Sequence, residues 1–411
     1  MRLSPYLSLL RSNPAFARLY AAQLASFAGD WFATVALLGL ALEMTGSSAL
    51  ASLVLALQTG GFAAAAPVAG ILADRLDRRK LLVAVDLARV PVALAFLLAR
   101  GPETLWIAFA AVLLLAVGAA FFEPTSSASL PNLVSPGDLP VANVLIGSAW
   151  GTMLAIGAAL GGLVAITLGR EAAFVINALS FAVSALLILG IRRPLQLPRE
   201  PDHAPAGGLT DAIMTAIRFA RPRRTVAAFL LTKTSFGIGT GIVALLAVFG
   251  RNVFGAGDAG IGILFAARGL GALIGPFLAR SLMGTDDTGL IRGIGWSFVA
   301  LTLSYALFPL APGIGVAAVL VFAAHCGGGA QWTLSTLGLQ RSTPDGIRGR
   351  IFSVDYGLVT LAIALSTLLA GLLADLLGAR PAAWTMVGLV ALSGLAWYLF
   401  SRPALEDEPD R

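Results

Sequence analysis

Five ionisable residues, Asp30, Glu123, Lys233, Arg268 and His325, stand inside long apolar stretches of this 411-residue chain. An ionised side chain at the centre of a membrane helix costs roughly 2.5–3.5 kcal/mol on insertion scales, so such a group normally faces a cavity or a partner. Asp30, in "GDW" near the middle of its stretch, is placed to carry a proton or to meet a cation. The plainer reading is a structural hydrogen bond beside Gly29. Glu123 precedes Pro124 and is a second carboxylate able to take up a proton, against a local role at a helix break. Lys233 and Arg268 can neutralise these acids or attract an anion, and Arg268 lies deeper in its stretch. Asp86 and Arg89, three residues apart, are expected to pair with one another rather than with a ligand.

Neutral groups complete the set. Gln23, Gln58, Gln331 and Gln340 offer hydrogen bonds within or near the apolar stretches, and His325 can titrate near neutral pH. A lone histidine beside Cys326 is no metal site; its plainer role is packing, and neither metal nor cofactor is expected. Trp31, Phe121 and Phe122 can line a broad apolar cavity or simply pack.

Only helices crossing a bilayer can hold such residues in such surroundings. Apolar residues make up 57% of the chain and charged residues 12%, with a mean hydropathy of +0.85; soluble domains carry about 25% charged residues. Apolar runs long enough to cross roughly 30 Å of hydrocarbon recur along it. They predict twelve spans, at about 17–43, 48–73, 80–100, 104–128, 141–169, 171–191, 225–250, 259–280, 289–311, 313–339, 349–378 and 382–401. The 46 glycines serve close helix approach rather than loops. The basic N-terminus precedes an apolar run too long for a signal peptide and is read as retained.

Lys and Arg fall mainly in alternate loops, which predicts both termini in the cytoplasm. A sequence pI near 10.1 therefore reports topology and not nucleic-acid binding. Arg18, Pro136, Gly162 and Gly169 recur as Arg224, Pro344, Gly371 and Gly378, at nearly one lag. This suggests duplicated six-helix bundles at 1–191 and 225–411, joined by a basic cytoplasmic linker at 192–224. Within the linker, Leu209, Ile213, Ile217 and Ala220 share one helical face, as in a helix lying on a membrane surface; a plain linker fits equally.

The densest charge in the chain is "GILADRLDRRK", Gly70 to Lys80. It resembles the loop between helices 2 and 3 of the major facilitator superfamily, with Asp77 where that family usually has a second glycine. "GDW" at 29–31, "FFEPTSSASLPNLVSPGDLPVAN" at 121–143, "FVINALSFAVSALL" at 174–187 and "GLQRSTPDGIRGRIFSV" at 338–354 are similar to its macrolide-efflux and enterobactin-exporter branch. The resemblance implies the major facilitator fold and a conformational latch formed by Gly70, Asp74, Arg75, Arg78 and Arg79, meeting the helix that follows "STPDGIRGR". The alternative is that the basic residues only anchor topology, the reading preferred for Lys80. "GAALGG", with Gly157, Gly161 and Gly162, looks like the antiporter glycine motif with Ala158 in place of proline; ordinary small-residue packing explains it as well.

No P-loop is present, so an ion gradient is the expected energy source. The sequence is expected to encode a monomeric inner-membrane secondary transporter, not an enzyme. It would export amphipathic small molecules such as drugs or siderophores by alternating access, in exchange for protons carried by Asp30 and Glu123. Gln23, Trp31, Gln58, Lys233, Arg268, His325 and Gln331 would line the substrate cavity. The rivals are a lipid or lysolipid flippase and a membrane enzyme or sensor; against the latter, no H-E-x-x-H or G-x-S-x-G run occurs.

Overall fold

The computed structural model describes residues 4–196, 209–282 and 286–402, and among them every regular element is helical. Twelve helical stretches are long and apolar enough to cross a membrane, as the run lengths predict. The fold is an all-α polytopic membrane protein.

The first helices show how local chemistry sets their limits. A short α1 (Ser4–Ser12) stops at Asn13, which caps α2 (Pro14–Thr45) by accepting from the Phe16 N–H at 3.1 Å. Pro14 opens that helix, where its missing N–H costs nothing, and Gly46 closes it at φ 66°. Ser47 caps α3 (Ser48–Arg75). Asp77 caps α4 (Arg78–Leu94) by accepting from the Lys80 N–H at 2.8 Å, which gives the residue standing in place of glycine a defined task. There follow α5 (Leu105–Leu133), α6 (Leu139–Thr167) and α7 (Arg170–Leu189).

The amphipathic α8 (Leu209–Ala220) packs against α14 through Ala216 and Ala220, leaving Ile213, Met214 and Ile217 exposed. The seventh span is interrupted. It runs as α9 (Arg224–Gly239), α10 (Ile242–Val248) and a π-helical turn at Phe249–Val253, a form that often marks functional positions. Then come α11 (Gly257–Leu282), α12 (Asp287–Leu307), α13 (Ile314–Ser342), α14 (Asp345–Leu377) and α15 (Ala379–Ser401).

Two compact units emerge, one of residues 1–200 with 250–266, the other of 201–249 with 267–411. In the first, α2 packs on α6 and α7, α3 on α5, and α4 on α5 and α7; Phe16, Leu19, Leu82, Phe122, Leu130 and Ile188 build one core. In the second, α9 packs on α13, α14 and α15, and α12 on α13; Phe229, Ile294, Phe298, Leu334 and Trp397 lie in its core.

One detail of the internal repeat recurs in the backbone. Gly169 before α7 has φ 86° and ψ 160°, and Gly378 before α15 has φ 90° and ψ 161°. Both are conformations that a Cβ would strain. The same turn is therefore built twice, at the two positions the sequence lag relates.

Candidate functional site

In the first unit the chemistry gathers around Arg89 on α4. Its Nη2 donates to both carboxylate oxygens of Asp30 on α2, at 3.2 and 2.9 Å. Its Nη1 donates to Ser26 Oγ at 3.0 Å and lies 3.6 Å from Asp86. The guanidinium also stacks 3.9 Å above the Phe181 ring on α7, a placement that suits its planar, weakly hydrated charge. Asp86 is fully buried, and neither of its carboxylate oxygens receives a hydrogen bond. Glu123 on α5 is half-buried within reach of the charges of Asp30 and Arg89. Three carboxylates thus share one guanidinium.

Arg89 is a counter-ion of Asp30. The expected Asp86–Arg89 pair exists, but at a longer distance than the contact Arg89 makes across to α2. Helical spacing points to the partner on the same helix; only tertiary packing brings α2 alongside.

Nearby polar groups extend the network. Ser126 Oγ donates to Gln23 Oε1 at 3.1 Å. Gln58 Nε2 donates to Thr34 Oγ1 at 2.8 Å, and that hydroxyl donates to the Asp30 carbonyl at 2.7 Å. Trp31 is buried against Trp150 and Phe265, at centroid distances of 6.2 and 5.8 Å. Phe122 belongs to the core.

The glycines of "GAALGG" mark close approach. A Cβ on Gly161 would lie 2.9 Å from Phe32 Cα, and one on Gly162 would lie 3.1 Å from Gly262 Cα. Gly157 faces Ala28 and Trp31 of α2. Beyond them lies a four-charge cluster that the sequence analysis does not single out. Arg170 donates to Asp258 at 2.6 and 3.2 Å and to Glu43 at 2.8 Å; Arg251 donates to Asp258 at 2.6 Å and also to Glu43.

In the second unit Lys233 on α9 donates to Asp355 Oδ2 on α14, and both side chains are buried. The sequence reading missed Asp355. It lies within the predicted 349–378 run, close to its start, and satisfies the same rule as Asp30. Arg268 is on α11. His325 and Tyr305 share a 2.7 Å hydrogen bond. Gln331 is buried with both amide atoms lacking hydrogen-bond partners, whereas Gln340 is exposed.

The basic loop divides. Arg78 donates to the carbonyls of Ala128 at 2.6 Å and Leu195 at 3.3 Å, and Arg79 donates to the Leu189 carbonyl. Both therefore fasten helix ends inside the first unit. The expectations for Gly70, Asp74 and Arg75 concern side chains outside the described residues. Among the described residues no cluster of three or more metal-ligating side chains occurs.

The sequence matches the transmembrane secretion effector family over residues 4–410. The chain belongs to this major facilitator family. Its curated relatives carry the names of transporters, not enzymes. BacE of Bacillus subtilis (strain 168), which carries the name of a bacilysin exporter, is 28% identical over 312 residues, covering 75% of this chain and 76% of BacE. The enterobactin exporter EntS of Shigella boydii serotype 4 (strain Sb227) is 27% identical over 368 residues, covering 84% and 82%. The fold matches that of a bacterial homologue of the human lysosomal transporter Spinster, inward-facing and unoccupied, with TM-score 0.72 and 17% identity over 99% of both chains. A POT family transporter in complex with 5-aminolevulinic acid gives TM-score 0.75 at 13% identity, over 95% and 96%. The chain is thus a multi-pass membrane transporter of the major facilitator type.

Proposed function

We propose that this transporter is a proton-coupled exporter of amphipathic small molecules, working by alternating access in the inner membrane as a monomer with both termini cytoplasmic. The observation that carries the reading is the carboxylate excess around Arg89. Asp30 and Asp86 both face the Arg89 guanidinium, and Glu123 adds a third carboxyl group nearby, in a largely buried place. Unpaired buried charge is costly, and protonation is the usual way to remove it. Protons bound by carboxylates in excess of the one guanidinium supply the coupling ion, with Glu123 and, once it parts from Arg89, Asp30 as its carriers. The exporter names of the relatives support the direction of transport.

The six-helix bundles at 1–191 and 225–411, linked by 192–224, are the moving bodies of this proposal, and Asp74 and Arg75 form a latch between states. Gln23, Trp31, Gln58, Lys233, Arg268, His325 and Gln331 contribute to the cavity.

Proton-driven substrate accumulation in proteoliposomes tests the coupling. Asp30→Asn is expected to abolish accumulation against a gradient while leaving facilitated movement; full accumulation by this variant would remove Asp30 from the role.

A further inference from the structure

Lys233 sits in an unusual box. Its ammonium touches Asp355 and lies 5.2 Å from the centre of the Trp332 ring and 5.7 Å from that of Phe352. Trp332 stands edge-on to Tyr356 at 6.3 Å, and these two rings are partly exposed. Asp355 itself is 1% exposed, and its Oδ1 receives no hydrogen bond. A buried acceptor without a donor calls for an explanation. A carboxylate walled by aromatic faces is the chemistry that recognises organic ammonium groups. The side chain filling that place is the protein's own ammonium.

We propose that Asp355, with Trp332 and Phe352, is a receptor for an ammonium group on the exported molecule, and that Lys233 is its resident occupant. When the ligand's ammonium binds Asp355, two cations would otherwise share one buried anion. Lys233 therefore gives its proton to water and withdraws as a neutral amine. One cation enters, one proton leaves, and the charge of the site stays constant; no covalent bond other than that N–H is broken. Asp355 is the charged group in contact with Lys233 among the described residues. The other contacts from α13 and α14 are rings. A lysine suits this exchange and an arginine does not, because a guanidinium stays protonated.

This inference rests on the reading of the chain as a small-molecule exporter and names a substrate class for it. It is independent of Asp30. Calorimetry on the purified full-length protein in detergent, titrated with phenethylammonium chloride in two buffers of different ionisation enthalpy, gives affinity and protons released together. Saturable binding with about one proton released per ligand is expected. Failure of Asp30 coupling in proteoliposomes would leave this result standing.

Asp355→Asn should weaken binding by at least roughly tenfold. Lys233→Arg keeps the ion pair and carries the test if the first variant does not fold; it should likewise bind at least roughly tenfold more weakly, with no proton released. No saturable binding, binding without proton release in the wild type, unchanged affinity in Lys233→Arg, or preference for phenylacetate would each overturn the proposal. The last would make Lys233 an anion receptor instead.

Discussion

Arg89 holds together groups that would otherwise repel one another. Its fork spans Asp30 and Ser26 while its face lies on Phe181, so charge, hydrogen bonds and packing depend on one side chain. Arg89→Ala would leave Asp30 and Asp86 without a counter-ion. Breaking a buried pair from one side costs about 3–5 kcal/mol, and thermal unfolding in detergent should register a loss of that order. Arg89→Lys should recover only part of it, since an ammonium has no planar fork to reach Asp30 and Ser26 together while lying on the Phe181 ring. Asp30 was legible in the sequence because it interrupts an apolar run. Its partner was not, because Arg89 lies 59 residues away and spacing along one helix points to Asp86. The missed Asp355 needed no structure, only the intramembrane-charge rule applied up to the edge of its run.

Helix ends and helix contacts were readable to different degrees. Run length located all twelve spans, since hydrocarbon thickness sets a lower limit that few soluble helices meet. The break of the seventh span into α9, α10 and a π turn left no comparable signal, because "FGIGTGIVALLAVFG" is apolar throughout. The glycine pattern showed where helices approach but not what they meet. Gly161→Val would drive a branched side chain into the α2 backbone at Phe32; overpacking of this kind costs about 1–3 kcal/mol. The thermal midpoint should fall accordingly, whereas Gly147→Ala, where a Cβ meets nothing within 4 Å, should leave it unchanged. Gly169→Ala and Gly378→Ala should each lose about 1–2 kcal/mol, since both turns hold a positive φ that L-residues resist. Similar losses at the two sites would extend the repeat from geometry to energetics.

For the whole molecule, composition decided the class and the basic loops predicted the orientation. A reporter fluorescent only in the cytoplasm, fused after Arg411, should light up, and an alkaline phosphatase fused there should stay inactive. The opposite pair of results would invert every inside and outside assignment in the proposed cycle. Residues 250–266, from the end of the seventh span into the eighth, belong to the first unit. That placement bears on the order of synthesis. When the ribosome has made only the first 224 residues, Glu43 and Arg170 are present but Arg251 and Asp258 are not. The first unit is finished only after the eighth span begins to emerge, so a truncated gene product would keep the Arg170–Glu43 pair but lack the second arginine and second carboxylate that close the ring of four.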